Sequence, residues 1–209
     1  MSHTLHRIKT ETGKSDDYVV LIMPARGINN VDVVETYRKY LTLLYQFHPV
    51  NMGGMKIGTL AVNTFEELLE NISPDAPMIH AVFSDRDTLI EVMKALKEAD
   101  YGYSVVVSGL VDDVDCCAKK AGIQRHSVDL TLGTWGDTSK LPPEGVLEIT
   151  TMCGHAMISA NLVNKMIEDI RAGRTTPRKA AVKLAEPCVC GIFNIDKAER
   201  LLNELAEKL

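Results

Sequence analysis

Short apolar runs alternate with segments of helical periodicity through the first 120 residues of the chain. Tyr18 to Met23 is almost wholly apolar and is stopped by Pro24 and Gly27, a pattern typical of a strand that is buried on both faces. Two further apolar runs, Met78 to Phe83 and Tyr103 to Val107, predict strands in the same way. Helices are predicted over Val31 to Phe47, Arg86 to Ala99 and Asp112 to Ala121.

Weaker patterns fill the gaps between these elements. Lys56 to Val62 predicts a weak strand, and Phe65 to Ile72 predicts a helix opened by a Thr64–Glu67 capping box. Val128 to Leu132 and Val146 to Thr150 alternate apolar with polar residues, which favours half-exposed or edge strands. From Ser159 onward the pattern is helical only, with helices predicted over Asn161 to Ala172, Pro177 to Ala185 and Ile195 to Leu209.

Strands separated by helices of this length indicate βαβ crossovers, so we expect an α/β fold with a mostly parallel sheet. The pattern divides the chain into a mobile lead-in (1–17), an α/β domain (18–152) and a small helical subdomain (153–209). We expect the subdomain to pack on the α/β domain and to close over the carboxyl edge of its sheet. Ligands of open α/β sheets bind at that edge.

Composition and charge narrow the class of protein. The 209 residues carry a formal net charge of -5, which disfavours nucleic acid as a partner. No apolar run approaches the roughly 20 residues that span a bilayer, and the polar start lacks the apolar core of a secretion signal. Five cysteines are too few for a disulfide scaffold. We therefore expect a cytoplasmic protein with reduced thiols and no membrane partner.

The most informative residues are the cysteines and the histidine of two short junction segments. Cys153 and His155 lie in Thr-Met-Cys-Gly-His, and Cys188 and Cys190 lie in Glu-Pro-Cys-Val-Cys-Gly. Side chains at i and i+2 can bind one ion only if the backbone turns, and a glycine follows or separates each pair. Two helices joined by the 188–190 link would bring it back towards Cys153, so the four side chains are predicted to converge.

Three thiolates and one imidazole are a common ligand set of structural zinc sites. The same residues could hold an iron–sulfur cluster through three cysteines, with His155 as fourth ligand or as a proton donor beside an open iron. The first would be structural or regulatory, and the second would support electron transfer or Lewis-acid chemistry. The cofactor is therefore predicted to be zinc or an iron–sulfur cluster, and the spacing does not choose between them.

A metal-free thiol enzyme is the competing interpretation. Met-Cys-Gly-His at 152–155 resembles the motif around one catalytic cysteine of the cofactor-independent proline racemase-like epimerases. The resemblance implies that Cys153 and Cys188 would be two acid–base thiols on opposite sides of a substrate carbon. It covers four residues and a Pro-Cys pair, and this chain is too short for the two similar halves of that family. Alternatively, Cys188 and Cys190 would form a strained, reactive disulfide.

A small-molecule binding module is the third interpretation. Arg26 and Gly27 follow a predicted strand and precede a helix, where a guanidinium and backbone amides could bind a small anionic ligand. The Gly-rich segment 48–58 is interpreted as a flexible lid or a tight connection. A basic stretch could contribute to such a site; it consists of Arg171, Arg174, Arg178, Lys179 and Lys183. Cys117 is predicted to be a core residue, with Cys116 at the edge of the same face, and His80 a buried core histidine.

Overall fold

A computed structural model describes residues 15–129 and 134–208 of the chain. These residues form a five-stranded sheet and eight α-helices, with a short 3-10 turn at Thr138–Lys140. In chain order the elements are β1 (Tyr18–Met23), α1 (Val34–Tyr45), β2 (Asn51–Gly54), β3 (Gly58–Thr59), α2 (Phe65–Glu70), β4 (Ile79–Phe83), α3 (Arg86–Ala99), β5 (Ser104–Ser108), α4 (Val111–Lys120), α5 (Glu144–Thr151), α6 (Ala160–Arg171), α7 (Pro177–Ala185) and α8 (Ile195–Glu207).

The sheet is antiparallel throughout, so the prediction of a mostly parallel sheet is wrong. The strand order is β3-β2-β4-β1-β5. The two central strands, β1 and β4, are antiparallel neighbours, with Tyr18 opposite Phe83 and Ile22 opposite Ile79. Strand β5 pairs antiparallel with β1, and β2 pairs antiparallel with both β4 and β3.

The error has a topological cause. A helix does connect β1 to β2 and another connects β4 to β5, and each of these pairs runs in one direction. However, β4 lies between β1 and β2, and β1 lies between β4 and β5. This is a split βαβ arrangement, in which two crossovers interleave so that every hydrogen-bonded neighbour is antiparallel. Hydrophobic periodicity reports crossovers but carries no information on the strand inserted between them.

The sheet is covered by helices on both faces. On one face the side chains of Val20, Ile22 and Ala81 belong to a core that includes residues of α1, α2, α3 and α4. On the other face Val19 and Val82 pack into a second core, formed with residues of α5 to α8. The C-terminal helices therefore cover one face of the sheet, and the prediction that they close over its carboxyl edge is wrong.

Two predicted strands have a different structure. Val146 to Thr150 lies within helix α5, because Val146, Ile149 and Cys153 recur at helical spacing and are buried in the second core. The alternation of this stretch was short enough to fit either period. Lys56 to Val62 contributes only the two-residue strand β3, whereas its partner β2 arises from the Gly-rich segment. The prediction for Val128 to Leu132 falls largely outside the described residues, and Val128 and Asp129 are not in a strand.

Several predicted elements are confirmed. Strand β1 and helix α3 have the predicted bounds, and Thr64 and Glu67 form both bonds of the capping box that opens α2. No helix in the described parts of the chain is long and apolar enough to cross a membrane.

The described end of the lead-in is held by charge against helices α5 and α8. Lys197, 3% exposed, lies 3.1 Å from a carboxylate oxygen of Asp16 and 2.9 Å from one of Glu148. Burial by itself would lower the pKa of Lys197, but the neighbouring carboxylates of Asp17, Glu148 and Asp16 raise it overall. The Asn194 amide donates to the Asp16 carbonyl and to Asp17. The helices that form the second core begin with α5, ahead of the predicted domain boundary at 152.

Candidate functional site

The two cysteine segments have the same backbone design. Each is a turn closed by a hydrogen bond from residue i+3 to the carbonyl of a cysteine: Ala156 N–H donates to Cys153 at 3.0 Å, and Gly191 N–H donates to Cys188 at 3.0 Å. The closing residue has a left-handed conformation in both, with φ of 55° at Ala156 and 78° at Gly191. A turn of this kind can bring residues i and i+2 to one side, as Cys-x-His and Cys-x-Cys chelation requires.

The sequence identified only one of these two left-handed positions. Gly191 has the conformation expected of a glycine hinge, whereas at the other turn the left-handed residue is Ala156 and not Gly154. An L residue in this region costs roughly 1–2 kcal/mol, because its Cβ approaches the following carbonyl oxygen. Such strain persists where surrounding structure enforces it, and it is concentrated at functional sites.

The structure brings together the four side chains of the two turns. The Cys188 and Cys190 sulfurs are 3.9 Å apart, and the Cys190 sulfur is 3.7 Å from His155 Nδ1. The Cys153 thiol also interacts electrostatically with Cys188. The three cysteines are 1–2% exposed, whereas His155 is exposed. The group is thus a buried trio of sulfurs with one imidazole at the surface; we call it the Cys/His cluster.

Interactions among the three thiols give them different pKa values. Hydrogen bonding from Cys188 lowers the pKa of Cys153 to about 6, against the opposing effect of burial. The same donor lowers the pKa of Cys190 to about 6, with the His155 imidazole adding a smaller contribution. Cys188 lies between two sulfurs that gain negative charge, so its own pKa is raised. The arrangement therefore favours thiolates at Cys153 and Cys190, and thiolate is the form that reacts or binds metal.

The Gly-rich segment 48–58 is the platform under the second turn. It forms the β2–β3 hairpin, and a Cβ added at Gly191 would lie 3.3 Å from the Gly53 nitrogen and 3.2 Å from the Thr59 methyl. A Cβ at Gly53 would lie 2.0 Å from the Gly58 carbonyl oxygen, so the hairpin itself closes tightly. Of the two interpretations of this segment, the tight connection agrees with this close packing and the flexible lid does not, since residues 51–54 are buried beneath the Cys/His cluster.

One residue that sequence reasoning missed connects the hairpin to the chain just after the cluster. Asn51 is fully buried; its amide donates to the Phe193 carbonyl at 3.1 Å, and its side-chain oxygen accepts from Met52 N–H at 3.0 Å. The only signal in the sequence was an asparagine two residues before a pair of glycines, a composition that normally indicates a solvated turn. Here both polar ends of the side chain are satisfied in the interior, where a mismatch would cost most.

The donor atoms are close together, but they do not already form a coordination shell. Among residues 15–129 and 134–208, no group of three or more His, Cys, Asp or Glu side chains is arranged, as it stands, to hold a metal ion. The cluster is a hydrogen-bonded group of thiols and an imidazole. Binding of an ion would require these side chains to rotate towards a common point while the two turns stay in place.

The closeness of Cys153 to Cys188 argues against the epimerase interpretation. Two acid–base thiols need a substrate carbon between them, but here Cys153 and Cys188 are both buried and interact directly with each other. No disulfide joins Cys188 and Cys190 in this structure. A disulfide between them would require the two sulfurs to move from 3.9 Å to about 2.05 Å.

The groups proposed for an anionic ligand are largely engaged elsewhere. Arg26 is exposed, but the Ala25 and Gly27 backbone amides beside it donate to the side chains of Asn29 and Asn30, each at 2.6 Å. Within the basic stretch, four side chains have internal partners. Arg171 binds carbonyls at the end of α8, Arg174 pairs with Asp169, Arg178 pairs with Asp196, and Lys183 pairs with Glu186.

The two cysteines of α4 and His80 are not part of the Cys/His cluster. Cys117 is fully buried in the core with α1 to α4, as predicted, and burial raises the pKa of its thiol. Cys116 is half-buried on the same helix. His80 is fully buried within β4, opposite Leu21 of β1 and Gly53 of β2.

Comparison with known proteins adds no family. No protein-family model matches the chain, and no curated protein and no solved structure matches it either.

Proposed function

We propose that this protein binds one transition-metal ion, of which zinc fits best, through Cys153, His155, Cys188 and Cys190. The observation that carries the proposal is the spacing of donor atoms across the two turns. With Zn–S of about 2.3 Å and Zn–N of about 2.0 Å, a tetrahedral site has S···S edges of about 3.8 Å and S···N edges of about 3.5 Å. In the structure the Cys188 and Cys190 sulfurs are 3.9 Å apart, and the Cys190 sulfur is 3.7 Å from His155 Nδ1.

The chemistry of the donors supports the same assignment. Three sulfurs and an imidazole are a regular zinc ligand set, and a low thiol pKa favours the thiolate that a metal needs. In a [4Fe–4S] cluster each thiolate binds a different iron, so the sulfurs stand farther apart than ligands that share one ion. Contact between neighbouring sulfurs therefore favours a single ion over a [4Fe–4S] cluster.

A four-coordinate ion at this position would have a structural role. It would join the turn after α5 to the turn after α7, and thereby hold the helical layer against the β2–β3 hairpin. Because such a site forms only in the folded chain, the binding free energy would add to the stability of the fold. Three ligands are buried and His155 is exposed, so the imidazole is the ligand that can dissociate without opening the core.

The test is metal analysis of protein purified without oxygen, followed by titration of the metal-free chain with Co²⁺, whose absorption reports tetrahedral thiolate coordination. We expect one zinc per chain and an intense cobalt spectrum. Cys188→Ser should abolish both. His155→Ala removes a direct ligand, so it should weaken binding by at least the roughly 10–100-fold that is typical of outer-shell changes, while keeping the thiolate bands. Cys117→Ser is the matched control, because it removes a buried thiol of the other core and should leave the metal content unchanged.

Three outcomes would overturn the proposal. One is a wild-type chain that neither contains zinc nor binds Co²⁺. Another is a Cys188→Ser variant that retains full metal content. A brown protein with iron and labile sulfide would replace the single ion by an iron–sulfur cluster.

A further inference from the structure

The surface beyond the Cys/His cluster offers one feature that the proposed function does not use, the outer edge of the sheet at β5. Strand β5 pairs with β1 on one side, and within the described residues no strand pairs with its other side. Its sequence is Ser-Val-Val-Val-Ser, without a charge, a proline or a glycine. Natural edge strands are normally protected by such residues, because unpaired N–H and C=O groups recruit other strands.

The exposure of β5 differs from that of the other long strands. All residues of β4 and nearly all of β1 are buried, whereas Val105 is 40% exposed and Val106 is 38% exposed. Val105 pairs with Ile22 of β1 and Val106 pairs with Leu21. Because they are consecutive in a strand, the two valines point to different faces of the sheet. The apolar edge is therefore open above and below, as expected of a strand that continues into another sheet.

An adjoining loop extends this apolar surface. Ile28 is 84% exposed and Val31 is 85% exposed, and both belong to the segment between β1 and α1. The Asn29 amide donates to the Gly102 carbonyl at 2.9 Å, which places this loop beside the start of β5. Exposed apolar side chains grouped around an open sheet edge are typical of an interaction surface.

We infer that β5 pairs antiparallel with β5 of a second copy of this chain, forming a two-fold symmetric dimer with one continuous sheet. The occupant follows from the sequence of the strand, which reads the same in both directions. An antiparallel pair centred on Val106 places Ser104 opposite the second copy's Ser108 and Val105 opposite its Val107. Antiparallel pairing of two identical strands is two-fold symmetric, and here it places valine opposite valine and serine opposite serine, with no charge, and β-branched pairs are favourable.

The interface is expected to be of moderate strength. A five-residue strand with the adjoining loop falls at the low end of specific interfaces, below about 1,200 Å². We therefore expect a dimer that dissociates in the micromolar range, visible as a mass that rises with concentration from 23.1 kDa towards twice that value.

The test is light scattering on the full chain over a concentration series, with and without Val106→Lys. That substitution places two ammonium groups opposite each other at the two-fold axis, which should raise the dissociation constant at least tenfold. Val106→Thr is the matched control: it keeps a β-branched residue and should retain the dimer. Because Val106 is partly exposed, both variants should fold, which circular dichroism would verify.

Hydrogen exchange provides an independent measurement on the unaltered protein. Amides of β5 should become more protected as concentration rises, whereas those of the central strand β4 should not change. A wild-type chain that stays monomeric at every concentration would overturn the inference, as would a Val106→Lys variant with an unchanged dissociation constant. Protection of β5 that does not depend on concentration would mean that another segment of the same chain covers the edge.

Discussion

Replacing Asn51 by leucine should weaken both the fold and the Cys/His cluster, although residue 51 lies more than a hundred positions before the cysteines. The side chain is fully buried, and its amide and oxygen bind the Phe193 carbonyl and the Met52 N–H. Leucine has a similar size and cannot form either bond. Two backbone groups would then stay buried without these partners, and no water could easily replace the lost bonds.

The expected magnitude follows from these two groups. A buried polar group left unsatisfied costs about 1–3 kcal/mol, so two cost about 2–6 kcal/mol before the apolar burial of leucine offsets part of the loss. We expect a net loss near 3 kcal/mol in the free energy of unfolding. With a urea m-value of about 2 kcal/mol/M, the unfolding midpoint would fall by roughly 1.5 M.

The assay is urea unfolding of metal-free protein followed by circular dichroism, together with Co²⁺ titration. Because Asn51 holds the chain just after Cys190, we expect metal affinity to fall about 10-fold, as for other residues that orient ligands. Asn203→Leu is the control, since Asn203 is exposed on α8 and the same change there should shift the midpoint little. A loss below about 1 kcal/mol in Asn51→Leu would refute the argument from buried, unsatisfied groups.

Three further predictions concern strain, charge and capping. Gly191→Ala should lower stability by more than Gly173→Ala. Both glycines have a positive φ, but an added Cβ would meet neighbouring atoms only at Gly191. Equal losses in urea unfolding would contradict the close approach of Gly191 to the β2–β3 hairpin. Lys197→Met should cost up to about 3 kcal/mol, because the partly buried Glu148 loses its ion-pair partner and Asp16 keeps only Arg200. Lys179→Met on the surface should cost little. The pKa of Lys197 is raised above 10.5 in the folded chain. Its contribution to the free energy of unfolding should therefore persist through neutral pH and be lost only as the pH rises through the folded-state pKa. Urea unfolding at several alkaline pH values would check this. Thr64→Ala should cost about 1 kcal/mol through loss of the capping box, and an unchanged urea midpoint would contradict that role.

Local signals accounted for most of the secondary structure. Wherever a cap or a long periodic run was present, as at Thr64 for α2 or over Arg86–Ala99 for α3, the element formed as predicted. The prediction was wrong where the pattern was short: Val146 to Thr150 fits two periods, and burial against α6 and α8 selects the helix. In the Gly-rich segment, close backbone approach stabilises a hairpin that glycine propensity alone does not predict.

Some residues of the candidate site could likewise be identified from the sequence, and others could not. Residue type and spacing were enough to single out Cys153, His155, Cys188 and Cys190, because two such donor pairs at chain junctions are chemically distinctive. They did not identify Ala156 as a left-handed residue or Asn51 as a buried contact. Both depend on neighbours that are distant in sequence, so no local pattern encodes them.

By itself, then, the amino-acid order determined most of the segments that are helical or extended and which side chains are capable of metal or thiol chemistry. These properties depend on interactions within a few residues: periodicity, caps, glycine and proline. Tertiary structure alone decided the antiparallel order of the strands, the face of the sheet that the C-terminal helices cover, and the contact between two turns 35 residues apart. Those features arise from burial shared among distant segments, where many arrangements satisfy the same local pattern and packing selects one of them.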